Sequence, residues 1–158
     1  MNYLHKLRPP VIHRDLKCEN VLLDKNFEAK VMDFGISKIV EDLERTKTMG
    51  VGTGFYMAPE LVDGNCKYDE KCDVFSFAIV MFCILSENFK PYKTNFNVQI
   101  KVSNDETYRP SLKNLNFPIW IQELMSNLWK NDPNERYSFE EIIDILKNKK
   151  KKHKVLIW

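Results

Sequence analysis

Val74 to Leu85, VFSFAIVMFCIL, is twelve residues long and contains one polar side chain, Ser76. No other stretch constrains the fold as strongly. A bilayer-spanning helix needs about 20 apolar residues, so this run is too short to cross a membrane. The remaining possibility is a helix buried inside a globular domain, and the sequence predicts one from about Asp73 to Leu85. The chain's 158 residues suffice for one domain with a core of its own around that helix.

The flanking elements follow from local pattern. Leu4 and Leu7, three apart, suggest the end of a helix over Met1 to Leu7, which Arg8-Pro9-Pro10 stops. Val21-Leu22-Leu23 and Ala29 to Met32 are β-prone runs joined by the turn-forming Asp24-Lys25-Asn26, hence a hairpin. Gly35 to Gly54 is polar and glycine-spaced, and reads as a loop. A helical patch is expected near Phe96 to Val102. An amphipathic helix is expected over Pro118 to Trp129, with Ile121, Leu124, Met125 and Leu128 on one face. Ser138 and Glu141 form a capping-box pattern opening a helix from Phe139 to Leu146.

Charge is unevenly spread. Six lysines lie in 147–154 without an acid, so the chain's +2 divides into +6 there and −4 elsewhere. The folded part therefore offers no case for nucleic-acid binding. Residues 1–146 read as the domain and 147–158 as a disordered basic tail, with an anionic-lipid or nuclear-import contact through Lys147–Lys154 as the other reading. Val155 to Trp158 is apolar and suited to docking on the domain or on a partner. Cys18, Cys66, Cys72 and Cys83 show neither a C-x-x-C pair nor metal-ligand spacing, which points to reduced thiols and a cytoplasmic location. The opening MNYLHKLRPP lacks the apolar region of a secretory signal.

The chemistry concentrates in VIHRDLKCEN, Val11 to Asn20, and VMDFG, Val31 to Gly35. Asp15 can accept a hydroxyl proton, and Lys17 can place positive charge beside a transferring phosphoryl group. Asn20 and Asp33 offer oxygen ligands to a hard cation such as Mg²⁺. A hairpin between them would bring these two, thirteen residues apart, to one place. D-F-G alone is a weak signal. H-R-D-L-x-x-x-N, D-F-G and Ala58-Pro59-Glu60 in this order are a specific one.

With those motifs the chain resembles a eukaryotic protein kinase catalytic domain, most closely the serine/threonine type of the tyrosine-kinase-like group. The resemblance covers about residues 1–146. It implies a mainly α (α+β) fold: the large lobe, with a small β-hairpin and a central buried helix, and without the N-terminal lobe. It implies ATP and Mg²⁺ as cofactors and a protein substrate. It makes Asp15, Lys17 and Asn20 catalytic, Asn20 and Asp33 metal-binding, and Lys17, Asn20, Leu22 and Asp33 nucleotide-binding, with Leu22 beneath the adenine ring. Thr53 would hydrogen-bond Asp15 and Lys17. Thr46 and Thr48 become candidate phosphorylation sites in an activation segment, with Arg14 receiving the added charge. His13, Phe34 and Gly35 take structural places. Asp73 would accept backbone donors from the loop carrying Asp15, besides capping its own helix. Glu60 and Arg136 would form a buried ion pair.

Lys17 and the run Gly52 to Glu60 follow the serine/threonine pattern. Ala78 and Tyr137 stand where the family usually has glycine and proline. Only twelve residues precede His13, too few for the family's glycine-rich phosphate loop, strand lysine and helix glutamate. The expectation is therefore a truncated serine/threonine kinase domain, inactive alone. The alternative is a non-catalytic binding module, or a competitor of a full-length kinase.

Overall fold

The computed structural model describes residues 1–34, 38–39, 53–62, 69–93, 97–113 and 115–154, without the side chains of 38, 39, 53 and 151–154. Its centre is helix α2, Lys71–Ser86. One turn of helix, α1 (Asn2–His5), precedes it, together with strands β1 (Val11–Ile12), β2 (Val21–Leu23), β3 (Ala29–Val31) and β4 (Lys38–Ile39). Helices α3 (Val98–Asn104), α4 (Ile119–Leu128) and α5 (Phe139–Lys154) follow.

α2 is buried because its run from Val74 to Leu85 carries a single polar side chain, Ser76. Val74, Phe75, Ala78, Ile79 and Cys83 are fully enclosed, packed with Leu124, Met125 and Leu128 of α4, Val98 and Val102 of α3, and Ile142 of α5. Each large side chain so enclosed stabilises the fold by about 1.5–3 kcal/mol. The last turn departs from the expected complete burial, with Ile84 56% exposed. The helix stops where Glu87 takes a left-handed φ of 53°, and the N–H of Asn88 turns back to the carbonyl of Cys83 at 3.2 Å.

The hairpin forms as expected. β2 and β3 pair antiparallel, Val21 opposite Val31 and Leu23 opposite Ala29. Its turn is built by Asp24, whose Oδ1 accepts the N–H groups of Asn26 and Glu28. The Glu28 donor, with that of Asn26, holds the Asp24 carboxyl below the usual carboxylate range. The Ser138 hydroxyl and Glu141 carboxylate exchange the bonds of a capping box at the start of α5.

Three expectations need correction. α5 does not stop at Leu146: it runs to Lys154, and 155–158 lie outside the described residues. Lysines are good helix formers and are favoured near a helix C-terminus, where the dipole end is negative. Lys38–Ile39, inside the expected loop, pairs with Val11–Ile12 as β4; two residues show no periodicity that a sequence reading can use. α2 begins at Lys71 with Glu70 at its cap position, so Asp73 is not the cap. The helical patch expected near Phe96 to Val102 forms as α3, and Phe96 lies outside the described residues.

Among the described residues no helix is long and apolar enough to cross a membrane. Cys18, Cys72 and Cys83 are free, and burial pushes the Cys83 thiol up to about 12 and that of Cys72 well above its ordinary value.

Candidate functional site

Three segments that carry candidate residues are fastened to one helix. The first is the loop between β1 and β2. Asp73 of α2, fully buried, accepts the backbone N–H of His13 through Oδ2 and that of Arg14 through Oδ1, both at 2.8 Å. The His5 ring nitrogen Nε2 lies 2.9 Å from the same Oδ2. Arg14 has φ of 65°, a left-handed conformation that costs a non-glycine residue roughly 1–2 kcal/mol. The two charge-assisted bonds to Asp73 hold that conformation in place.

The second is the run toward Ala58-Pro59-Glu60. Ser76 donates to the carbonyl of Tyr56 at 2.7 Å. The third anchor spans Glu60 and Arg136. The Arg136 guanidinium meets Glu60 at two points, 2.7 and 2.8 Å. It also donates to the carbonyls of Lys71 in α2 at 3.0 Å, Lys130 at 2.8 Å and Asn131 at 3.1 Å, and sits 5.2 Å from the Phe75 ring centre. All five guanidinium N–H donors are thus used, so a side chain only 2% exposed leaves none of them unsatisfied.

The fastened loop presents the chemistry. Asp15 is 9% exposed. Its Oδ2 accepts from Lys17 Nζ at 2.6 Å and from Asn20 Nδ2 at 3.2 Å, while Asn20 Nδ2 also donates to the Asp15 carbonyl at 2.8 Å. Among the described residues, Asp15 Oδ1 is buried with no hydrogen-bond partner. A buried carboxylate oxygen without a donor is costly unless something arrives to supply one. The unpartnered oxygen suits an incoming hydroxyl, with Lys17 placing positive charge beside the carboxylate.

His13 joins this loop to the next motif. It is fully buried, and its Nε2 lies 2.9 Å from the Met32 carbonyl while Nδ1 accepts from the Asp15 N–H at 3.3 Å. That pattern assigns the proton to Nε2. The Phe34 ring lies 5.0 Å from the imidazole. The N–H of Met32 donates to the Asn20 carbonyl at 2.8 Å, which sets Asp33 beside Asn20 at the base of the hairpin. Asp33 has φ of 62° and is exposed.

Asn20 spends its amide N–H groups on Asp15, leaving its amide oxygen as the ligating group. Among the described residues no cluster of three or more His, Cys, Asp or Glu side chains is placed to hold a metal. The donor set Asn20 plus Asp33 therefore fits Mg²⁺ only with most of its octahedral shell supplied by phosphate and water oxygens. Leu22 is 47% exposed on the hairpin, and Met32 and Phe34, which follow β3, are 48% and 46% exposed.

The expected residues thus divide. Asp15, Lys17, Asn20, His13, Arg14, Asp73, Glu60 and Arg136 come together around α2, and Asp33, Phe34 and Leu22 border them on the hairpin. Gly35, Thr46 and Thr48 lie outside the described residues. Thr53 opens a short 3₁₀ turn, Thr53–Phe55, but its side chain is likewise outside them. Three residues escaped the sequence reading: Ser76, His5 and the Lys71 carbonyl. Only Ser76 had left a signal. A lone hydroxyl in a twelve-residue apolar run must find an acceptor once buried.

Comparison with known proteins agrees. A family model for the protein kinase domain matches residues 1–146. A "Probable LIM domain-containing serine/threonine-protein kinase" of Dictyostelium discoideum is 43% identical over 147 residues, covering 93% of this chain and 15% of its own length. A "Probable serine/threonine-protein kinase" of the same organism is 38% identical over 154 residues, covering 94% of this chain and 16% of its own. A "Seven transmembrane domain-containing tyrosine-protein kinase 1", also from that organism, is 39% identical over 155 residues, covering 92% and 21%. The chain spans well under a quarter of the length of these relatives. It is helix-rich around a small hairpin, as a kinase large lobe is, and it belongs to the protein kinase family.

Proposed function

We propose that this chain is the substrate-orienting half of a serine/threonine protein kinase, and that as a 158-residue polypeptide it transfers no phosphate alone. The observation carrying the proposal is the Asp15 carboxylate, buried, ion-paired to Lys17, with Oδ1 unpartnered among the described residues. Asp15 accepts the hydrogen bond of a serine or threonine hydroxyl through Oδ1 and orients its oxygen for attack. Lys17 offsets charge at the receiving side. Nucleotide and Mg²⁺ supply the transferable phosphoryl group, with Asn20 and Asp33 as the protein's oxygen ligands to the metal. Leu22 offers one apolar face to the base. Phosphoryl transfer depends on positioning and charge neutralisation more than on a strong base. The 158 residues hold no G-x-G-x-x-G sequence, the element that cradles nucleotide phosphates in protein kinases.

Hydroxyl specificity is read from Lys17 and from Gly52 to Glu60. Two of the relatives above carry serine/threonine kinase names and one a tyrosine kinase name, so specificity requires its own readout. The free thiols fit a cytoplasmic setting.

The test is a radiolabelled transfer assay with phosphoamino-acid analysis. It compares the chain alone, the chain joined to an upstream segment carrying a glycine-rich loop and lysine, and an Asp15→Asn version of each. The proposal expects label on serine and threonine from the joined form only, abolished by Asp15→Asn. Transfer by the chain alone above its Asp15→Asn control would overturn the inactivity. No transfer by a folded, nucleotide-binding joined form would favour a non-catalytic binding module.

A further inference from the structure

The face built by α4 and the segment that follows α3 takes no part in the chemistry above. It holds a cavity of about 470 Å³. The apolar part of its wall is Leu112 together with the buried Pro110 and Trp129. Beside them stand two cations, Arg109 and Lys113, and two hydroxyls, Ser111 and Ser126. Among the described residues no acid lines the cavity. The acids closest in sequence are engaged or face solvent. Asp105 spends Oδ1 on the N–H and hydroxyl of Thr107, while Glu106 and Glu123 are exposed.

The positive groups have no counter-charge. Arg109 donates to the carbonyls of Val102, Asp105, Tyr108 and Trp129 and to the Asn131 side chain oxygen, all of them uncharged. Among the described residues it forms no ion pair, and burial holds its proton affinity below the usual arginine range. An anion at that wall would meet a charge less screened than one in open water. The Lys113 ammonium and the Ser126 hydroxyl have no acceptor among the described residues. Ser111 Oγ accepts the Lys113 N–H at 3.4 Å, which leaves the hydroxyl proton free to donate. We propose that this cavity binds a small amphipathic anion, a carboxylate or phosphate carried on an apolar body. Ligand pockets of about 300–1,000 Å³ combine an apolar lining with a few polar groups that fix orientation, and here both charged groups are positive. An inorganic ion would leave Pro110, Leu112 and Trp129 uncovered. A neutral apolar ligand would leave Arg109 and Lys113 without a counter-charge.

The inference does not depend on the kinase reading and is tested without activity. The full chain, isotope-labelled for NMR, is titrated separately with phenyl phosphate, benzoate, benzyl alcohol and inorganic phosphate. The amides of Ser111, Leu112, Lys113 and Ser126 report on the cavity. Phenyl phosphate and benzoate should shift them saturably, and the tighter of the two identifies the anionic group. Benzyl alcohol and inorganic phosphate each carry half of the recognised chemistry and should bind about tenfold more weakly. Added salt should weaken both anions and leave benzyl alcohol unaffected. Lys113→Gln should weaken the anions about fivefold, the upper range for an exposed ion pair, without changing the affinity for benzyl alcohol. Ser126→Ala should weaken them about threefold. Both positions are exposed, so neither variant disturbs the core. Absence of saturable shifts at the cavity amides with either anion would overturn the proposal. Benzyl alcohol or inorganic phosphate binding as tightly as phenyl phosphate would overturn it too, as would anion affinity unchanged in Lys113→Gln.

Discussion

The loop carrying Asp15 and the hairpin ending in Asp33 adjoin one another, yet they are built in opposite ways. Around Asp15, polar groups are paired to a neighbour, Arg14 and His13 with Asp73, Asn20 and Lys17 with Asp15, His13 with Met32, and Asp15 Oδ1 stands apart as a buried oxygen without a partner among the described residues. The hairpin turns its apolar residues outward, with Leu23 64% and Phe27 84% exposed. The difference separates two tasks of phosphoryl transfer. On the proposed function, the geometry that orients a hydroxyl is fixed by a buried helix, whereas the hairpin surface proposed to meet a nucleotide is exposed. A site is precise where its supporting groups are themselves locked by packing and hydrogen bonds, and only one half of this site meets that condition.

The largest way to break the anchored half is at Arg136. Arg136→Ala leaves Glu60 and three backbone carbonyls without their donor. It should cost roughly 3–5 kcal/mol, read as a lowered midpoint in urea. A midpoint equal to the parent's would mean that this anchor does not hold the segment through Glu60.

Asp73→Ala comes next. It removes the acceptor for the His13 and Arg14 N–H groups, and unsatisfied buried donors cost about 1–3 kcal/mol. Beyond stability, it should loosen Asp15 and lower transfer in a form completed upstream, while Mg²⁺ binding without nucleotide stays weak in parent and variant alike. An Asp73→Ala protein with unchanged stability and unchanged transfer would remove the link from α2 to the chemistry.

On the hairpin the same logic predicts small effects. Leu22→Ala, at a half-exposed position, should change stability by no more than about 0.5 kcal/mol, and a loss near that of Arg136→Ala would show the hairpin to be packed after all. Smaller still is the effect of acid on the turn. The Asp24 carboxyl titrates below its ordinary value because the ionised form accepts the Glu28 and Asn26 amides. Its support for the turn is therefore complete above pH about 4 and is lost as pH falls through the lowered value. Chemical shifts of Asn26 and Glu28 should follow that loss in the parent and be pH-independent in Asp24→Asn.

How much of this was legible beforehand depended on whether a feature has a local cause. The hairpin turn and the capping box are written in a few adjacent residues, Asp24 to Glu28 and Ser138 to Glu141, and both formed as read. The central helix was legible because a twelve-residue apolar run has few other fates. The Glu60–Arg136 pair, seventy-six residues apart, came from resemblance and not from pattern, since nothing in either segment names the other. β4 was missed for the same reason: a two-residue strand is chosen by its partner across space. α5 runs past Leu146 because lysine is a good helix former and is favoured at the negative end of the helix dipole.

The central claim is that α2 holds the hydroxyl-orienting loop in place while the hairpin stays open. Native-state amide hydrogen exchange tests it most directly, residue by residue. The amides of His13 and Arg14, donated to a fully buried carboxylate, should exchange only with unfolding of the whole domain. Those of the hairpin, Phe27 at its tip above all, should exchange by local opening orders of magnitude faster. Equal protection in the two places, or fast exchange at His13 and Arg14, would contradict the account.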